Sequence, residues 1–323
     1  MKRKDNIMVW RVFSFLCIFI IHLAHSLNAQ GKIKVITDFG YTAVYFFIAI
    51  SGYLAFAGYK DDTRAVDYWK RRAIRILPLY YSVILYFFIT HTFIFRNVPP
   101  DRYGLGWFRY IVFLSNIVPA EHDFWRNIGM TWTINWLLVL YIITPFLHKI
   151  VRSFNKALVF CGVSYILFFF KDALFGEWME AVKGLFYYSI GIAVFFAIRE
   201  GKEKRLSALL VWGTFFFLIQ SADHELTGIT LFGILLMATD GMQLKDGVFK
   251  KAVCWIDRYC FEFYLIHGIV FNHIIWIFLE NRRINSPIVI TAVSVVCTVV
   301  LSVAVHELLR IIIYDRLDRK KAA

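Results

Sequence analysis

The sequence predicts an all-α membrane protein, a polytopic bundle of about ten transmembrane helices that forms a single domain over residues 1–323. Of the 323 residues, 59% are hydrophobic and 19% aromatic, whereas only 18% are charged. Soluble domains carry roughly 45–50% apolar and about 25% charged residues, so an ordinary soluble enzyme and a disordered chain are excluded. The five cysteines all lie in apolar runs without paired spacing. This distribution favours neither a disulfide framework nor a zinc site, and we expect no metal.

The positions of the predicted spans follow from hydropathy. A helix needs about 20 mostly apolar residues to cross a bilayer, because hydrocarbon offers the backbone no hydrogen-bond partner. We predict spans at approximately 8–27, 38–58, 76–96, 131–148, 157–171, 182–199, 206–221, 226–240, 255–279 and 287–311. The apolar stretch 107–117 is too short to cross. We expect an interfacial or re-entrant helix there.

The placement of Lys and Arg orients the chain. With the N-terminus inside, the predicted cytoplasmic segments hold 24 of the 36 Lys and Arg residues, and the outer segments hold 10. The positive-inside rule therefore predicts that both termini are cytoplasmic, in a protein of the cell (inner) membrane. The net charge of +13 is then explained by topology and by attraction to the lipid bilayer, so nucleic acid is not an expected partner.

The first predicted span contains the ionisable residues Arg11 and His22. Eleven residues are close to three helical turns, so both side chains share one face, about 16 Å apart at 1.5 Å per residue. A cation near the inner end can hold an anionic donor, and a deeper histidine is suited to general-base work near neutral pH. The alternative is structural, with Arg11 reaching the lipid headgroups and His22 bonded to a neighbouring helix.

Three arginines precede the third predicted span. Arg71 and Arg75 are i,i+4 neighbours, and Arg72 and Arg75 are i,i+3 neighbours, so their guanidinium groups can converge. Arginine forks match the geometry of phosphate oxygens. A membrane anchor that binds no ligand explains the same residues.

The ninth predicted span carries Glu262, Tyr264 and His267. Glu262 is expected to be neutral or to pair with a helix-borne arginine such as Arg258, four residues earlier. A purely structural network between helices explains Glu262 and Tyr264 as well as chemistry does. In the last span, the pair His306-Glu307 is predicted to lie at the membrane interface.

Taken in order, these stretches resemble the integral-membrane type-3 acyltransferases. Arg11 and His22 match that family's Arg-x10-His pattern, and Leu137 stands roughly where many members have a glutamate. Four further stretches are similar to family motifs: 46–53 (FFIAISGY), 71–80 (RRAIRILPLY), Trp132-Thr133 with Tyr141 and Pro145, and 260–267 (CFEFYLIH). For Ser51-Gly52 within the first of these, the residues alone predict only a close approach of two helices.

The resemblance implies transfer of an acetyl or succinyl group from cytoplasmic acyl-CoA to a sugar hydroxyl of a surface polysaccharide or lipid-linked glycan at the outer face. His22 would be the catalytic residue, either as the base for the acceptor hydroxyl or as a transient acyl carrier. The donor phosphates would be held by Arg11, Arg71, Arg72 and Arg75. The supporting residues would be Ser51, Gly52, Trp132, Tyr141, Glu262, Tyr264 and His267.

Two other kinds of protein remain as alternatives. One is a transporter of lipid-linked saccharide, although such proteins typically show internal repeats, and none is evident in this sequence. The other is a non-catalytic scaffold among polysaccharide assembly proteins. A scaffold would tolerate His22→Ala, which an enzyme would not.

Overall fold

The computed structural model describes residues 4–27, 42–94, 105–113, 131–170, 180–219, 224–271, 273–275 and 286–315, and these ranges contain helices and no strand. Ten of the helices have 15 residues or more. In chain order they are α1 (Asp5–Ser26), α2 (Thr42–Gly58), α3 (Ala65–Ile89), α4 (Trp132–Ile150), α5 (Phe154–Phe169), α6 (Glu180–Glu200), α7 (Lys202–Ile219), α8 (His224–Ala238), α9 (Val248–Ile269) and α10 (Pro287–Leu309). The predicted all-α class is confirmed.

Each of these helices overlaps one predicted span. Five have both the length and the composition to cross a membrane: α1, α3, α4, α6 and α10. Helices α2, α5 and α8 are apolar but shorter. Several apolar helices therefore define a membrane protein, whereas the number of ten crossings and the side on which the termini lie stay predictions.

Two helices begin earlier than hydropathy predicts. Helix α3 begins at Ala65 rather than near residue 76, and α9 begins at Val248 rather than near residue 255. Hydropathy marks only the apolar part of a helix, whereas tertiary contacts hold its polar first turns. In α3, the Trp69 side chain donates a hydrogen bond to the carbonyl oxygen of Tyr141 in α4, at 3.2 Å. The three arginines therefore lie within α3 rather than before it.

A short helix, Leu105–Ile111, occupies the first part of the stretch where an interfacial helix is predicted. The Tyr80 hydroxyl of α3 donates a hydrogen bond to the carbonyl oxygen of Tyr110 in this helix, at 2.7 Å. The remainder of that prediction, residues 114–117, lies outside the described residues.

Helices α2 and α6 cross in backbone contact at the centre of the bundle. A Cβ atom at Gly191 would lie 1.8 Å from the carbonyl oxygen of Ala49, and one at Gly52 would lie 2.2 Å from the carbonyl oxygen of Tyr188. The close approach expected for the Ser51-Gly52 stretch is therefore present. Helix α1 packs against α2 and α9. Because α2 also lines the site described below, its crossing with α6 fixes one wall of that site.

Asp240, in the segment between α8 and α9, ties the first residues of the chain to α7. Its two carboxylate oxygens form ion pairs with Lys4 at 2.7 Å and with Arg205 at 2.8 Å. Partial burial acts to lower the pKa of Lys4, but the hydrogen bonds to Asp240 and Tyr53 outweigh it and raise that pKa above its ordinary value. The contact holds the start of α1 in place, and with it the register of Arg11.

Candidate active site

Helices α1, α2, α3, α4 and α9 enclose a cavity. The empty space between their side chains, including the part open to solvent, is about 880 Å³. The polar wall residues are Arg11, Ser51, Arg72, Arg75, Thr133, Tyr141, Asp257, Cys260 and Tyr264. Leu137 forms part of the apolar remainder. Three cations and one carboxylate therefore face a partly apolar space.

Arg72 is held by aromatic rings. Its guanidinium carbon lies 4.7 Å from the centroid of the Tyr141 ring and 5.2 Å from that of Tyr68. Among the described residues, no carboxylate forms an ion pair with it. Cation–π contacts offset part of the cost of burying the guanidinium group, but they leave its charge uncompensated. An anion that enters the cavity would therefore meet a net positive charge.

The two other arginines of α3 have different surroundings. Arg75 is exposed and lies in the cavity wall beside Arg72. Arg71 is also exposed but is not part of the wall, because successive helical residues are about 100° apart around the axis. The structure thus brings Arg72 and Arg75 together and places Arg71 elsewhere, so its predicted role in donor binding has no support from its position.

Arg11 forms a buried ion pair with Asp257 of α9. The Asp257 side chain is completely buried and that of Arg11 is 14% exposed. Arg11 also donates a hydrogen bond to the backbone carbonyl of Asp257 at 3.1 Å. The interpretation of Arg11 as a headgroup anchor is therefore wrong, and its compensated charge makes it a weaker phosphate ligand than Arg72.

Sequence reasoning missed Asp257 although a signal was available. An aspartate within a predicted span is costly unless it is paired, and Arg11 in another span is a partner of opposite charge. Only Arg258, which lies on the same helix as Glu262, was considered as an ion-pair partner, and charges on different spans were not compared.

Tyr264 stands at the boundary between the cavity and a second group of side chains. Its hydroxyl is hydrogen-bonded to the Thr133 hydroxyl of α4 at 2.8 Å, and Phe47 packs on its ring. On the other side, the centroid of the His267 ring lies 5.6 Å from that of Tyr264. The predicted i,i+3 neighbours Tyr264 and His267 are therefore in contact, and Tyr264 connects the cavity wall with this histidine.

His22 and His267 face each other across the interface of α1 and α9, with ring centroids 5.0 Å apart. His267 is 1% exposed, and its Nδ1 lies 3.2 Å from the carbonyl oxygen of Phe263. A carbonyl oxygen only accepts hydrogen bonds, so this Nδ1 carries the proton. His22 is partly exposed. A partly exposed imidazole, that of His22, therefore contacts a buried one, that of His267.

Glu262 and His306 form an interhelical pair that was not predicted. His306 Nδ1 lies 2.7 Å from Oε1 of Glu262, which is 7% exposed. The proposed partner Arg258 instead lies over the ring of Tyr259, 5.7 Å from its centroid. Helix α10 packs along α9, so His306 lies against a buried carboxylate, and its placement at the membrane interface stays a prediction.

The other supporting residues divide into those at the cavity and those away from it. Ser51 and Tyr141 line the cavity, whereas Trp132 and Gly52 do not. Trp132 packs edge-to-face on Trp136, with ring centroids 4.6 Å apart. Its position favours a role in the packing of α4.

Together these features define a helical membrane protein with a basic interior cavity next to a pair of histidines, an arrangement suited to group transfer from an anionic donor. The model of a family described as an acyltransferase domain matches residues 5–307. The chain belongs to this type-3 acyltransferase family, which confirms the resemblance, and it is a membrane acyltransferase. No curated protein and no solved structure matches the chain.

Proposed function

We propose that the protein is an O-acyltransferase that moves an acetyl or succinyl group from cytoplasmic acyl-CoA to a sugar hydroxyl of a surface polysaccharide or lipid-linked glycan. In this proposal ten helices cross the cell membrane and both termini are cytoplasmic. The donor enters from the inner side, and the acceptor approaches from the outer side.

The observation that carries the donor assignment is the uncompensated guanidinium of Arg72, held between two tyrosine rings in a cavity that Arg75 also lines. Acyl-CoA is a polyanion at its nucleotide end and carries its thioester on a long, flexible arm. Arginine forks suit its phosphates. The arm would extend along the apolar wall and past Tyr264 toward the histidine pair.

In the proposed transfer step, His22 is the general base. His22 accepts the proton of the acceptor hydroxyl while the hydroxyl oxygen bonds to the thioester carbonyl carbon. The carbon–sulfur bond then breaks, and the leaving thiolate takes the proton back from the His22 imidazolium, which yields an ester and the free thiol of CoA. Transient transfer of the acyl group to His22 itself is the alternative route to the same products.

Donor binding to the purified protein in detergent tests the first half of the proposal, with acetyl-CoA, succinyl-CoA and CoA as ligands. A hydrogen bond to a charged group is worth about 1.5–3 kcal/mol, so we expect Arg72→Gln to weaken binding by about 10- to 150-fold. Arg71→Gln is the matched control, because Arg71 lies on the same helix outside the cavity wall. Equal effects of the two substitutions would refute the assignment. Absence of binding by folded protein would favour a transporter or a scaffold.

Turnover tests the second half. We expect His22→Ala to leave donor affinity unchanged and to lower the rate of transfer by about 10²–10⁴, the usual contribution of a general base. The assay follows release of free thiol in the presence of glycan acceptors. If His22→Ala transferred acyl groups at the wild-type rate, His22 would not be the catalytic residue.

A further inference from the structure

His267 has one nitrogen whose hydrogen-bonding capacity is unused. Its Nδ1 donates to the Phe263 carbonyl, whereas Nε2 is buried and has no hydrogen-bond partner among the described residues. With Nδ1 protonated, Nε2 of the neutral ring carries a lone pair and can only accept. A buried acceptor without a donor costs about 1–3 kcal/mol, and a native structure retains one for a reason.

Among the described rings that contact His267, one is a candidate for the missing donor. The rings whose contacts with His267 the structure describes are Tyr264, Phe271 and His22. Phe271 carries no donor, and the Tyr264 hydroxyl is bonded to Thr133. His22, with its centroid 5.0 Å away, is the remaining ring that has an N–H group.

The separation of the two rings suits a hydrogen bond. An imidazole nitrogen lies about 1.1 Å from its ring centroid, so centroids 5.0 Å apart allow facing nitrogens to approach to about 2.8 Å, a normal hydrogen-bond length. The rings are tilted by 46°, and rotation of the partly exposed His22 ring aligns the two nitrogens. Catalytic hydrogen bonds are often open before substrate binds and tighten in the reactive complex.

We infer that His267 is a positioning residue for His22. In this inference, which rests on the proposed function, Nε2 of His267 accepts a hydrogen bond from one ring nitrogen of His22. That bond fixes the tautomer of His22, so that its other nitrogen presents a lone pair to the acceptor hydroxyl. The same bond strengthens when His22 becomes an imidazolium, because a charged donor makes the stronger hydrogen bond. His267 transfers no proton and touches no substrate.

Three substitutions in the full-length protein separate this role from a purely structural one. In His267→Gln the side-chain amide reaches the position of Nε2, in His267→Asn it reaches only that of Nδ1, and His267→Phe keeps the ring shape alone. We expect the Asn and Phe variants to lose about 10- to 100-fold in kcat, the usual effect of removing a group that orients a functional residue. We expect the Gln variant to stay within about tenfold of wild type, and KM for the donor to stay nearly constant throughout.

The opposite order would overturn the inference. If the bond to Phe263 is all that matters, Asn retains activity better than Gln, because Asn preserves that bond. Equal kcat values in all three variants would also overturn it. Loss of folded protein in His267→Phe leaves the test intact, since the comparison needs only the two polar variants, His267→Gln and His267→Asn.

A measurement on the resting protein separates this inference from the proposed function. In protein labelled with ¹⁵N only at histidine, two-bond proton–nitrogen correlations report the tautomer of each ring, and His22→Gln assigns the His22 signal. We expect a single His22 tautomer in wild type and in His267→Gln, and a mixture in His267→Asn. The same mixture in all three proteins would refute the positioning role, whether or not acyl transfer is observed. A protein with the expected tautomers but without acyl transfer would instead refute the proposed function.

Discussion

The ion pair between Arg11 and Asp257 allows one substitution to change stability and donor affinity in opposite directions. Asp257→Asn keeps the shape of the side chain but leaves the Arg11 guanidinium without its counter-charge. Removing one partner of a buried ion pair costs about 3–5 kcal/mol. Because Arg11 is 14% exposed and faces the cavity, water reaches it, and we expect a loss of about 3 kcal/mol, at the lower end of that range.

The released charge has the opposite effect on an anionic ligand. At a separation of about 10 Å and an effective dielectric constant of about 30, one unit charge attracts another by about 1 kcal/mol. We therefore expect acetyl-CoA to bind Asp257→Asn about fivefold more tightly than wild type. Raised salt should reduce this gain, because screening weakens interactions that reach solvent.

The assay combines unfolding by SDS titration with ligand binding on the same preparations. Asp257→Glu, which keeps the charge, is the control for the loss of charge. The double variant Arg11→Met/Asp257→Leu replaces the pair by apolar groups and should recover most of the stability without the gain in affinity. A stable Asp257→Asn protein would refute the buried pair, and unchanged donor affinity in a folded variant would show that Arg11 lies away from the bound anion.

Three further outcomes are expected. Gly191→Ala places a methyl group 1.8 Å from a backbone oxygen of α2 and should cost about 3 kcal/mol or more in stability. The measurement is the loss of monodisperse protein. Gly213→Ala is the control and should be tolerated, because no neighbouring element has a described atom within 4 Å of that methyl group. Tyr264→Phe removes the hydroxyl bond to α4 and should cost about 1 kcal/mol in SDS unfolding; an unchanged value would mean that this bond contributes nothing. Asp240→Asn should lower the thermal midpoint at pH 7.5. Because the pKa of Lys4 is raised in the folded protein, this contact stabilises below the ordinary value of 10.5 and is lost above it, so a pH series should show the difference between variant and wild type shrinking above pH 10.5.

The pattern of apolar segments predicted the helices well, because backbone groups in hydrocarbon must be satisfied within one helix. Each predicted span overlaps a long helix, but the starts of α3 and α9 were misplaced. Their first turns are polar or aromatic, and contacts such as that of Trp69 with α4 hold them. Hydropathy is a local property and contains no information about such contacts.

The sequence also determined which residues share a face. The i,i+3 spacing placed Tyr264 beside His267, and the structure has their rings in contact. Spacing on one helix says nothing about the helix opposite, however. It therefore gave Glu262 the partner Arg258 on its own helix, whereas the partner is His306 of α10.

The class of the protein follows from the sequence alone: its composition requires a membrane, its apolar periods require helices, and its ordered motifs place it among the type-3 acyltransferases. The way in which the charges are used depends on the fold. It paired Arg11 with Asp257, left Arg72 between two aromatic rings, and set His22 against His267. The physical reason is that the charge, hydrogen bonding and reactivity of a buried group depend on the groups across from it, and those come from helices distant in the chain.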